Sequence, residues 1–151
     1  MKVEDSTIAF IKLHEGVKYK MYIDSAGKPT IGCGHLILPK EGYLLSATLN
    51  DEQVNDLLRM DIIVAANAVN LGVEVTINQN QWDALVAFAF NVGANGFLYS
   101  TLLKVINIFA PKDEITDAFM MWNKITIKGK KVISKGLINR RQAEIDLYFK
   151  I

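Results

Sequence analysis

The chain has one cysteine, Cys33, so no internal disulfide can form. That fits a protein folded in a reducing compartment. It also lacks a charge excess: 17 basic and 16 acidic residues leave a net charge of +1. Such balance gives no bulk electrostatic reason to expect a nucleic-acid or membrane partner, and neither is expected. No apolar run approaches the roughly 20 residues needed to span a bilayer; the longest lie near 62–69 and 84–92. The opening MKVEDSTIAFIKLHEG has acids where an export signal is basic, so no signal peptide is expected. Two histidines and one cysteine show no metal-ligand spacing, and neither a phosphate loop nor a nucleophilic triad is visible. No metal and no cofactor are implied. Internal repeats and low-complexity tracts are absent too.

What is present suits a packed core. Of 151 residues, 50% are apolar and 22% charged, within the range of one compact domain or one domain with two lobes. Asp5 or Ser6 can cap a first helix that Gly16 stops. From Val17, apolar Val17, Tyr19, Met21 and Ile23 alternate with polar neighbours, which predicts a half-buried strand. Residues 25–29 (SAGKP) are turn chemistry, and 30–36 read as the return strand. Thr48 or Asn50 can cap a long helix ending before Gly72. Residues 80–93 (NQWDALVAFAFNVG) are apolar almost all round, predicting a buried helix. Further helices are expected over 100–110, 113–122 and 137–149, and the basic, β-branched KITIKGKKVISK (124–135) as an exposed loop or hairpin. The expected class is α+β: a small lobe of about residues 15–60 with a short antiparallel sheet, and a larger helical lobe of about 70–151 plus the N-terminal helix, joined by the long helix.

Chemistry gathers around the first hairpin. Glu15 closes an apolar helix, Asp24 sits beside a polar turn, and Thr30 enters the opposite strand, where it can face Asp24. Gly32 and Gly34 follow, suggesting an open floor where a ligand could press against backbone. Two carboxyls in unlike settings are driven to unlike protonation, as acid-catalysed glycoside cleavage requires. Each acid taken singly is more often structural: a helix-end residue or a turn former. Their joint arrangement favours the catalytic reading.

The spacing Glu15-x8-Asp24-x5-Thr30, running into TIGCGH, resembles the catalytic signature of the phage-type lysozymes, the family of the T-even phage endolysins. Residues 80–93, 100–103 (STLL) and 136–148 (GLINRRQAEIDLY) resemble further blocks of that family in the same order. The resemblance implies a lysozyme-like fold and a glycoside hydrolase cutting the β-1,4 bond between N-acetylmuramic acid and N-acetylglucosamine in peptidoglycan. It implies Glu15 as general acid, Asp24 as the group positioning water, and Thr30 as a second hold on that water. Members commonly invert the anomeric carbon, which wants carboxyls about 6.5–9.5 Å apart. A monomer is expected, reaching the cell wall through a membrane hole made by another protein or through a secretion apparatus.

Several residues support this centre. His35 is expected to be structural, and the family pattern pairs it with Asp61. Arg140 and Glu144 form an i,i+4 pair worth only a few tenths of a kcal/mol if solvated. Arg141 lies nearest the buried stripe and is expected to reach inward and hold Glu15. Phe90, Asn91 and Ser100 fall in blocks resembling the family's substrate wall, with Gly32 and Leu36 on the sheet side. Packing is an equally good account of Phe90. Asn91, polar within an apolar helix, needs a partner, and a sugar hydroxyl or acetamide would serve. Cys33 reads as a small packed residue. Two rivals stand beside hydrolysis: a lytic transglycosylase on the same fold, and a non-catalytic wall-binding domain.

Overall fold

The computed structural model describes residues 1–151. The chain divides into two compact units, one of Val3–Ile63 and one of Met1–Lys2 with Val64–Ile151.

In the first unit, helix α1 (Asp5–Glu15) buries Thr7, Ile8 and Ile11. Its N-cap is Glu4 rather than Asp5 or Ser6, and the Glu4 N–H donates to Thr7 Oγ1 at 3.1 Å. Gly16, at φ 70°, stops the helix in a conformation that costs other L-residues energy. α1 groups with the sheet, whereas the sequence placed it with the helical lobe. Lys12 Nζ donates to Asn55 Oδ1 at 2.9 Å, and Arg59 pairs with Asp5, fastening α1 to the following long helix.

Strands β1 (Lys18–Ile23), β2 (Pro29–Gly32) and β3 (His35–Leu36) form an antiparallel sheet in that order. The expected alternation in β1 is not realised: Tyr19 and Ile23 are exposed. β1 is one of the two edge strands, met on its outer side only by the Lys20–Thr48 bridge, and its register breaks between Lys18 and Tyr22, which disrupts the two-residue period. The single return strand expected over 30–36 is two strands. Gly32 (φ 69°) and Gly34 (φ 78°) turn the chain, so that Ile31 pairs with His35. A 3-10 segment (Pro39–Leu45) follows.

Helix α2 (Asp51–Gly72) begins at Asn50, which exchanges hydrogen bonds with Gln53 in a reciprocal cap. Along its 22 residues Val54, Leu58, Ile62, Ala65 and Val69 are buried at helical spacing, while Leu57 is half-buried. In the second unit, α3 (Gln79–Val92) starts with a similar Asn78–Gln81 exchange and buries every residue from Trp82 to Ala89. It packs on the last helix, α7 (Lys135–Tyr148). Phe88 lies edge-on to Phe97, Phe119 and Trp122, with ring centroids 5.5–6.4 Å apart. Burying a side chain of this kind is worth about 1.5–3 kcal/mol.

Between these helices run α4 (Ala94–Leu98), α5 (Thr101–Asn107) and α6 (Lys112–Met120). α4 was not anticipated, and α5 is shorter than the expected 100–110 helix because Ser100 is its cap and Phe109 adopts φ 53°. Residues 124–135 contain a hairpin, β4 (Lys124–Ile127) and β5 (Lys130–Ile133). The architecture is therefore α+β, with a small antiparallel sheet in one unit and mainly helices in the other.

Candidate active site

Asp24 and Thr30 meet at one peptide unit. The Asp24 N–H donates to the Lys28 carbonyl at 2.9 Å, and Gly27 N–H donates back to Asp24 O at 3.0 Å. Asp24 Oδ1 accepts from the N–H groups of Ala26 (2.9 Å) and Lys28 (2.8 Å), an Asx turn that fixes the carboxylate. Thr30 Oγ1 donates to the same Lys28 carbonyl at 3.1 Å. The register pairs Thr30 with Tyr22, not with Asp24 as the sequence suggested. The two are diagonal neighbours, held through Lys28. Asp24 is half-buried and Thr30 is only 3% exposed.

Glu15 ends α1 and is half-buried; β1 starts three residues later and runs to the Asp24 turn. Its charge reaches Cys33 in the β2–β3 turn. Burial pushes the Cys33 thiol up, Lys12 opposes that, and Glu15 and Asp61 add to it. Cys33 is buried, as a small packed residue should be.

Gly32 is not an open floor. It is buried, and a methyl group there would touch Val54 and Leu57 at 4.0 Å. Its need for glycine comes from φ 69°, which the turn demands. The bare position is Gly34, exposed with nothing within 4 Å of an added Cβ. Leu36 pairs with Thr30 in the register and is exposed.

His35 is buried between two acids. Nδ1 lies 2.9 Å from Asp61 Oδ2, and Nε2 lies 3.1 Å from Glu41 Oε2. Ionised carboxylates only accept hydrogen bonds, so the arrangement is complete when both ring nitrogens donate. Glu41 also accepts the Leu38 N–H at 3.0 Å, and that bond is the main reason its carboxyl is held below the usual range. The Asp61 carboxyl moves up, because burial outweighs the pull of His35. Sequence reasoning found Asp61 but missed Glu41, although the acid six residues after His35 in a Pro-initiated segment was a usable signal.

On the helical side, Ser100 is 3% exposed and serves as the N-cap of α5. Its Oγ donates to Phe97 O at 2.6 Å and accepts from Leu103 N–H at 3.1 Å. Its hydroxyl is thus engaged in capping α5. Phe90 is half-buried near the end of α3. Asn91 is exposed, and its Oδ1 already accepts from Arg141 Nη2 at 2.9 Å, leaving its amide hydrogens for another acceptor.

Arg141 is fully buried. Nη2 donates to Glu144 Oε1 at 2.8 Å, Nε lies 2.7 Å from Oε2, and Nη1 donates to Trp122 O at 3.3 Å. The guanidinium also stacks 4.9 Å from the Phe88 ring centre. Arg140 reaches the same carboxylate at 3.4 Å and donates to Ala87 O. Glu144 has no exposed surface. Burial pushes its carboxyl up while the two guanidiniums, Arg141 first, pull it back. The i,i+4 pair treated as a surface contact is thus part of a buried triad. A glutamate with arginines three and four positions before it on a helix was the available clue.

Known proteins resemble this chain in both sequence and fold. The chain matches a family model described as "Phage lysozyme" over residues 12–144. It is 34% identical over 148 residues to an endolysin of Acyrthosiphon pisum secondary endosymbiont phage 1, covering 98% of each chain. An endolysin structure from Escherichia coli O157:H7 phage FAHEc1 superposes with a TM-score of 0.90 at 37% identity, covering 99% of this chain and 94% of that one. The muramidase domain of SpmX from Asticaccaulis excentricus gives a TM-score of 0.88 at 31% identity, covering 99% of both.

Proposed function

Because the chain belongs to the phage lysozyme family, and so to a class of peptidoglycan-lytic enzymes, we propose that it is a muramidase. It hydrolyses the β-1,4 bond between N-acetylmuramic acid and N-acetylglucosamine. The name of the SpmX domain points to the same bond class.

The observation that carries this reading is the Lys28 junction. Asp24 Oδ1 is saturated by two backbone N–H groups, so Oδ2 is the oxygen left for a water proton. Thr30 spends its own proton on Lys28 O, so toward a water its Oγ1 can act only as an acceptor. A water giving one proton to each would aim its lone pair outward, toward the anomeric carbon. Glu15, at the end of the apolar helix α1, supplies the proton to the leaving oxygen. As the sugar–oxygen bond breaks, Asp24 takes the proton that the attacking water loses.

In the same reading Leu36 and Phe90 offer apolar contact to the glycan, and the free Asn91 amide hydrogens suit an acetamide or peptide carbonyl. The site of action is the bacterial cell wall, and no helix is long and apolar enough to cross a membrane.

The test is mass spectrometry of fragments released from purified peptidoglycan by the wild type and by Glu15→Gln. Reducing-end muropeptides from the wild type, and none from the variant, are expected. Anhydro ends would assign a transglycosylase, and binding without release would assign a non-catalytic wall protein.

A further inference from the structure

The geometry points to the β4–β5 hairpin as a docking element for an anionic phospholipid surface. The charge balance that argued against a membrane partner is an average over two unlike parts. Residues 124–135 carry five lysines and no acid. The remaining chain therefore has 12 basic and 16 acidic residues, giving −4 against the hairpin's +5.

The register decides what each face holds. Ile125 pairs with Val132 and Ile127 with Lys130, so three aliphatic side chains share one face with Lys130 at its tip. The opposite face holds Lys124, Thr126, Lys131 and Ile133. Lys128 (φ 49°) and Gly129 (φ 77°) form the two-residue turn, which is the geometry that suits a tight hairpin. Every residue of both strands is exposed, and Ile125, Ile127 and Val132 keep 43%, 48% and 43% of their surface in water.

A two-stranded hairpin with both faces solvated gains little from its own packing. Three β-branched aliphatics on one such face are out of place unless something covers them. The lysines alone would suit any polyanion. Aliphatic side chains beside lysines, with no acid among them, suit an interface whose phosphates meet the ammonium groups and whose acyl boundary takes the apolar face. A hydrated polyanionic sugar chain would leave that face idle. Docking of this kind is peripheral, and it would concentrate the enzyme where membrane and wall adjoin. The acids assigned to catalysis lie in the other unit of the chain, so the inference stands apart from the catalytic reading.

The test is co-sedimentation of the full chain with vesicles of phosphatidylglycerol and phosphatidylethanolamine, set against phosphatidylcholine alone. Binding to the first, weakened by salt, and none to the second is expected. Each lysine near the surface contributes about 1 kcal/mol, or roughly fivefold. Lys128→Gln, Lys130→Gln and Lys131→Gln together should therefore weaken binding about 100-fold. Ile125→Ser with Ile127→Ser, at unchanged charge, should weaken it at least tenfold, by loss of apolar burial. In the Ile127→Trp variant, emission of the introduced indole should shift to the blue when anionic vesicles are added. Both sets should keep wild-type activity on soluble glycan fragments, which reports the fold. No binding to anionic vesicles would overturn the proposal. So would aliphatic variants binding as tightly as wild type, an unshifted emission in Ile127→Trp, or soluble heparin binding with the same variant profile, which together describe a plain polyanion site.

Discussion

Removal of the Glu144 carboxylate should be among the most destabilising single changes in the chain. Glu144→Ala removes the carboxylate shared by two arginines, Arg141 at 0% and Arg140 at 7% exposed. The lost contacts are Arg141 Nη2–Oε1 at 2.8 Å, Nε–Oε2 at 2.7 Å and Arg140 Nε–Oε1 at 3.4 Å. Breaking one side of a buried ion pair costs about 3–5 kcal/mol, far above the few tenths of an exposed helix pair. For a domain of this size that is a fall in Tm of about 6–20 °C, at roughly 2–4 °C per kcal/mol. The assay is urea and thermal unfolding followed by circular dichroism. The internal control is Asp5→Asn at the Arg59–Asp5 pair, whose side chains are 96% and 43% exposed for Asp5 and Arg59. That change should cost less than about 1 kcal/mol. Replacing Glu144 and Arg141 together by Met should cost less than the sum of the single changes, since the fully buried Arg141 guanidinium leaves together with its carboxylate. A Glu144→Ala protein within about 1 kcal/mol of the wild type would refute the claim that the triad is buried and coupled.

The second prediction concerns acid. Glu41 is held below the ordinary carboxylate range by the Leu38 N–H and His35, so its contribution is present at neutral pH and is lost as pH falls through the lowered folded value. Asp61, raised by burial, acts in the opposite sense and regains stability as pH falls. Glu41→Gln should therefore flatten the acid limb of unfolding stability, read from urea midpoints between neutral pH and the carboxylate range; an unchanged limb would reject the Glu41 carboxylate as its source. Third, Ser100→Ala should cost about 1 kcal/mol through loss of the α5 cap. Its kcat/KM on peptidoglycan should stay near wild type, and a loss of activity without a loss of stability would restore Ser100 to the substrate wall.

Much of the candidate site was legible because it is local. Glu15 before Gly16, the Asp24-Ser-Ala-Gly turn and the Thr30 that follows are set by residues within a few positions of one another, and their hydrogen bonds run over two to four residues. The long α2 stripe and the all-buried α3 follow from helical period alone. The division of the return strand was not legible, since alternation cannot register two glycines at positive φ. Nor was the exposure of Tyr19 and Ile23, which depends on β1 being an edge with an irregular register.

The order of residues by itself determined the likeness to the family, the long α2, the buried α3 and which acids flank the first hairpin. Tertiary structure alone decided the fate of the polar side chains: His35 is shared by Asp61 and Glu41, Ser100 is spent on a cap, and Glu144 is sealed between two arginines. The physical reason is that burial and ion pairing depend on groups brought together from distant parts of the chain. Caps and turns, by contrast, close within a few bonds of the residue that makes them.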